Sequence, residues 1–107
     1  MECAIENIGD VAIVAFTADL FQSENFKTCL AAIMQKYNKL VFDMRNVKLI
    51  DSTGCGILLA CLKKLTGAGG DLRLCGVGKP IMTLFELIRM HRIIEIFDTK
   101  DDAVRSF

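Results

Sequence analysis

The sequence has one histidine, no surplus of either charge and no apolar run long enough to cross a bilayer, and each shortage removes a class of function. With His91 alone, a His/Cys metal cluster lacks a second imidazole. Ser/His/Asp catalysis would have to use that same residue, which lies in an expected helix-to-strand connection, and no nucleophile-elbow pattern is present. Thirteen basic side chains are balanced by thirteen acidic ones, so the basic patch of a nucleic-acid binder is missing. The apolar run Ile57 to Leu62 is far too short for a membrane span. Met1-Glu2-Cys3 is acidic and shows no signal-peptide pattern. A soluble cytoplasmic protein without membrane insertion is therefore expected. The glycine-rich stretches 67–70 and 76–79 have no Walker-type Gly-Lys-Ser/Thr, because Lys79 is followed by Pro80. No cofactor and no enzymatic activity are expected.

What is present reads as one α/β domain. The chain of 107 residues is 52% hydrophobic, as suits a sheet covered on both faces. Strands are expected at 3–8 and 11–17 around a Gly9-Asp10 turn, the second apolar on both faces and so central. Ser23 is placed to cap a helix over 24–37 whose stripe is Phe26, Leu30, Ile33, Met34 and Tyr37. A third strand at 39–44 and a turn at 45–48 lead to a helix over 53–66, with Leu58, Leu62 and Leu65 on one face. Gly67, Gly69 and Gly70 stop it. A strand at 71–76, a helix over 80–90 opened by Pro80, a short strand at 94–97 and a helix over 99–106 follow. The helical crossover between the third and fourth strands favours parallel pairing.

Five cysteines, Cys3, Cys29, Cys55, Cys61 and Cys75, are odd in number and their spacings match no zinc or redox motif. Most fall at apolar positions, where a free thiol acts as a small hydrophobe. Cys55 is the exception, on the first turn of a helix, where a thiol pKa can fall.

The densest chemistry is Leu49-Ile50-Asp51-Ser52-Thr53-Gly54-Cys55-Gly56. An apolar run ends at a carboxylate and two hydroxyls, and two glycines open a helix. Helix N-termini leave backbone N–H groups unpaired and favour negative charge, so a phosphate on Ser52 would be tolerated there. On the residues alone, Ser52 reads more readily as a structural N-cap than as a phosphosite. Asp43 and Asp51 read either as a charged rim around a modifiable hydroxyl or as two turn-capping carboxylates. Asp-Ser-Thr-Gly is similar to the aspartic-protease loop, but the glycine stands three places after the carboxylate rather than two. No second such loop supplies the partner carboxylate that mechanism needs.

Val41 through Gly56 resembles the strand, loop and Asp-Ser-Ser/Thr-Gly-Leu-Gly signature of STAS domains, in particular the stand-alone anti-sigma factor antagonists (anti-anti-sigma factors). Asp19 resembles the aspartate of that family's Gly-x-Leu-Asp segment. Pro80 to Phe97 resembles its helix and short strand, and Thr99 to Phe107 its last helix. The resemblance spans almost all of 1–107 and implies a single STAS-like domain, with a mixed central sheet of four to five strands and about four helices. It implies phosphorylation at Ser52, with Thr53 as the neighbouring hydroxyl. It also implies a partner-binding surface drawn from Asp19, Ser23, Asp43, Arg45 and Asp51 together with Thr53, Gly54, Cys55 and Gly56.

In that family the unphosphorylated antagonist binds an anti-sigma factor that is also a GHKL-type serine kinase, freeing a sigma factor. Phosphorylation breaks the complex and a PP2C-type phosphatase restores it. A monomer or weak dimer is expected. A stressosome-like scaffold, or a cytosolic STAS subunit of a lipid ABC transporter, are the alternatives the resemblance leaves open. The chain departs from the family at Phe16, where glycine is frequent, at Cys55, which replaces leucine, and at Arg89, where a helix-ending glycine is common. Phe16 and Cys55 are accordingly expected near the partner surface.

Overall fold

The computed structural model describes residues 3–16 and 24–107, with side chains over 5–16 and 28–107. Thr17, Asp19, Ser23 and the side chains of Cys3 and Phe26 lie outside these, so the expectations placed on them are not addressed.

Alternating buried positions build the sheet. Strands β1 (Cys3–Ile8) and β2 (Val11–Phe16) form a hairpin in which Ile8 pairs with Val11. That register leaves a two-residue loop, and Gly9 takes the left-handed φ of 62° that such a loop demands of its first residue. β2, β3 (Lys39–Asp43), β4 (Asp71–Cys75) and β5 (Glu95–Phe97) then pair in parallel, in chain order. Each parallel step needs a crossover, and right-handed crossovers in one direction place their helices on one face. These are α1 (Glu24–Lys36), α2 (Ser52–Gly67) and α3 (Lys79–Leu87). The short α4 (Lys100–Arg105) returns across the opposite face.

The two cores follow the strand period of two. Ala12, Val14 and Phe16 of β2, Leu40 and Phe42 of β3, and Leu72 and Leu74 of β4 meet Leu30, Ile33, Leu58, Leu65, Ile81 and Phe85 from the helices. Val11, Ile13, Val41 and Cys75 point the other way, onto Ala103 of α4 with Val104 and Phe107 beside it. Burying such a side chain contributes about 1.5–3 kcal/mol each. Phe16 is 2% exposed and packs edge-on against Phe42 at 4.9 Å. It belongs to the core and not to a partner surface, because its place in β2 turns it toward the helices. The Arg73 guanidinium lies 4.0 Å from the centroid of the Phe107 ring, which fastens the last residue over the sheet.

Two helix ends differ in how they stop. α2 closes in a Schellman motif. Gly69 is left-handed at φ 82°, the Gly70 N–H donates to the Leu65 carbonyl at 2.8 Å, and the Gly69 N–H donates to that of Thr66 at 3.1 Å. α3 ends at Leu87, three residues short of the expected end, because Arg89 adopts φ 61°, ψ 30° and turns the chain into a 3-10 turn at Met90–Arg92. Arg89 is the only non-glycine residue with positive φ among the described residues.

Cys55, Cys61 and Cys75 are free, buried thiols, the last two with pKa values pushed up to about 11 by burial. Cys29 departs from the free-thiol expectation and is disulfide-bonded. Among the described residues no helix is long and apolar enough to cross a membrane.

A left-handed conformation costs an L-residue about 1–2 kcal/mol that glycine does not bear. Arg89→Gly is expected to raise the thermal midpoint by roughly 4–8 °C, about 1 kcal/mol for a domain of this size. A calorimetric scan showing no rise would contradict strain at this corner.

Candidate functional site

The first turn of α2 is built by Asp51. This residue is extended (φ −108°, ψ −174°), its Oδ1 accepts the Gly54 N–H at 2.8 Å and its carbonyl accepts the Cys55 N–H at 3.0 Å. Asp51 is thus the N-cap and Ser52 the first helical residue, so the helix starts one position earlier than expected and Ser52 does not cap it. The Ser52 hydroxyl is exposed and, among the described residues, has no hydrogen-bond partner, as is true of that of Thr53. With the amides of Gly54 and Cys55 occupied, those of Ser52 and Thr53 remain the open donors of the turn. A phosphate on Ser52 would meet these donors and the positive end of a 16-residue helix.

The flanking residues sort by burial. Gly54 and Cys55 face inward. A Cβ on Gly54 would lie 2.6 Å from Ile50 Cγ1, so glycine is what lets Ile50 fold back against the helix start. Burial first, and the Asp51 charge second, raise the Cys55 thiol pKa. The expected lowering by the helix terminus is overturned, because desolvation of the thiolate outweighs the dipole. Cys55 is core and not surface, for the same reason of packing. Gly56 faces solvent with no atom within 4 Å of where a Cβ would be. Leu49, 79% exposed, stands three residues before Ser52. The apolar pair Leu49-Ile50 lies past the end of β3, where only Ile50 turns inward.

Asp43 and Arg45 form a separate unit. Asp43 is 4% exposed. Its carboxylate accepts Arg45 Nη2 at 2.8 Å, Nε at 3.0 and 3.1 Å, and the Arg45 backbone N–H at 3.2 Å. Gly76, left-handed at φ 67°, passes close beneath, where a Cβ would come within 2.4 Å of Arg45 Cγ. Both carboxylates therefore have local donors, Asp43 those of Arg45 and Asp51 the Gly54 amide. Asp19 and Ser23 lie outside the described residues. No group of His, Cys, Asp or Glu able to hold a metal occurs among the described residues. A hollow of about 620 Å³ between β1 and α1, lined by Ile5, Ile33 and Tyr37 among others, includes none of the candidate site residues.

The division of labour between Asp51 and Ser52 sets two expectations for stability. Asp51→Ala removes the cap and should cost about 0.5–2 kcal/mol. Ser52→Ala should stay within about 0.5 kcal/mol of wild type, as befits an exposed side chain without a partner. Urea denaturation midpoints of the two variants check this, and a larger loss for Ser52→Ala would return the capping role to the serine.

The STAS domain family model matches residues 3–103. The anti-sigma F factor antagonist of Paenibacillus polymyxa is 28% identical over 65 residues, 61% of this chain and 56% of that protein. The chain spans less than two thirds of the length of the first curated relatives it matches, 56% to 60%. An anti-sigma-factor antagonist (STAS) domain protein from Planctomyces limnophilus superposes with a TM-score of 0.85 at 18% identity, over 99% of this chain and 97% of that one. The Bacillus cell-fate determinant SpoIIAA in its phosphorylated form superposes at 0.73 and 13% identity, over 97% of each chain. At such identities these two structures establish shared architecture, and the family match runs from β1 into α4, so the chain belongs to the STAS domain family.

Proposed function

We propose that this chain is a phosphorylation-switched anti-sigma factor antagonist. One observation carries the reading: the Ser52 hydroxyl stands free and exposed at the start of α2 because Asp51 has taken the capping role. The names of the relatives support it, and a protein of the same fold exists in a phosphorylated form. The partner is an anti-sigma factor that is itself a GHKL-type serine kinase. Bound to the unphosphorylated antagonist, it releases a sigma factor.

ATP belongs to the partner. Ser52 Oγ bonds to the γ-phosphorus while a base of the kinase takes its proton; the bond from that phosphorus to the β–γ bridging oxygen breaks, and ADP leaves with its electron pair. The antagonist needs no catalytic group of its own, only an accessible hydroxyl. Open space over Gly56 and the solvent-facing Leu49 let a partner approach the helix backbone and bury apolar surface beside that hydroxyl.

Phosphate brings about −1.5 to −2 charges. Within the domain the α2 terminus offsets its repulsion with Asp51, so the fold is retained. In a closed interface the same charge must be desolvated or set against like charge, at a cost of several kcal/mol. About 2.7 kcal/mol suffices for a hundredfold loss of affinity. A PP2C-type phosphatase resets the switch.

Affinity capture from the native host with wild type, Ser52→Ala and Ser52→Asp as baits tests this. The expected result is a GHKL-type kinase held by the first two and at least about a hundredfold weaker on the third. Transporter subunits or a large STAS assembly held equally by all three would overturn the reading.

A further inference from the structure

Cys29 is disulfide-bonded, whereas Cys55, Cys61 and Cys75 are free. Of the five cysteines this leaves Cys3 as its partner. The sheet register leads to the same residue independently. Across the hairpin Cys3 pairs with Phe16 and Ile5 with Val14, and directly paired residues share a face of the sheet. Phe16 and Val14 lie in one core with Cys29 and Ile33 of α1. Cys3 and Ile5 are therefore on the side of the sheet that α1 covers.

Position along the elements agrees as well. α1 runs back from the C-terminal edge of the parallel strands, and β1, antiparallel to β2, starts at that edge. Ile5 and Ile33 line one hollow. From Ile5 to Cys3 the strand moves about 7 Å toward the edge. From Ile33 to Cys29, one turn of helix, α1 moves about 6 Å the same way. Cys3 thus comes level with Cys29.

The hollow, about 620 Å³, gives access to the bond. Cys29 lines it, and Ile5, Thr28 and Ala32 on its wall are exposed to solvent. Lys36 is the charged residue of that wall and favours a reagent that attacks as an anion. The other three thiols are withdrawn from exchange. Burial raises the pKa of each, Cys61 and Cys75 to about 11, so at neutral pH they hold little thiolate.

We infer that Cys3 and Cys29 form an exchangeable disulfide, a redox-sensitive staple between the edge strand β1 and α1. The co-reactant is a low-molecular-weight thiol such as glutathione. Its thiolate bonds to Cys29 Sγ while the S–S electron pair leaves with Cys3 Sγ, and a second thiolate then displaces Cys29 from the mixed disulfide. Cys3 and Cys29 together gain two electrons and two protons, and the two small thiols become one disulfide. Opening the bond releases the loop closed between residues 3 and 29, so the unfolded chain gains freedom and the fold loses stability.

Peptide mapping of the purified chain tests the inference. The protein is equilibrated with oxidised or with reduced glutathione, quenched in acid, alkylated in denaturant and digested without reductant. The oxidised sample is expected to yield a peptide linking Cys3 to Cys29 with Cys55, Cys61 and Cys75 alkylated, and the reduced sample to carry alkyl groups on all five. The thermal midpoint of the reduced form should be lower by at least roughly 8 °C. Cys29→Ser and, separately, Cys3→Ser should each melt near the reduced wild type and stop responding to glutathione. An alkylated Cys29 in the oxidised sample, or a Cys29 linked to a different cysteine, overturns the inference. So does a bond that reduced glutathione leaves closed, or a midpoint that does not move when it opens.

Discussion

The hydrogen bond from the Gly54 amide to the Asp51 carboxylate, 2.8 Å long, organises the head of α2 on which the proposed switch rests. It fixes where α2 begins, and with it the phase of the helix. Gly54, Cys55, Leu58, Cys61 and Leu65 turn toward the sheet as a consequence, and Ser52, Thr53 and Gly56 turn toward solvent. The same bond frees the serine hydroxyl: a side chain that capped the helix would have its oxygen committed to a backbone donor, and here that task is done by the carboxylate beside it.

The parallel sheet supplies the setting. Because β2 to β5 run in one direction, the starts of α2, α3 and α4 gather at the C-terminal edge of the strands, where chain reversals leave backbone donors open. Asp43 ends β3 at that edge and holds Arg45 in place, with Gly76 of the next crossover passing beneath. The Asp43–Arg45 pair is a structural unit that shapes the loop leading to Ser52.

The elements were legible because burial period and element period agree. β2 reads apolar at every position because helices cover one face and α4 covers the other. The stripe of α2 and its glycine stop were equally plain. What could not be read were choices among equivalent residues and contacts distant in the chain. Asp51, Ser52 and Thr53 are three good caps in a row, and which one caps depends on how Ile50 folds against Gly54. The end of α3 was hidden because the residue in the left-handed position is an arginine rather than the usual glycine. The direction of the Cys55 pKa shift was not legible, because a helix terminus is visible in sequence and the depth of burial is not. Gly76 beneath Arg45, thirty-one positions away, left no local mark.

The free hydroxyl at the head of α2 is the centre of the account, and mapping where phosphate lands tests it most directly. The purified protein would be incubated with ATP and an extract of its native host, digested, and read by tandem mass spectrometry. The account predicts a single phosphorylated residue in this segment, Ser52. Phosphate on Thr53 alone, or none anywhere at the head of α2, would contradict it.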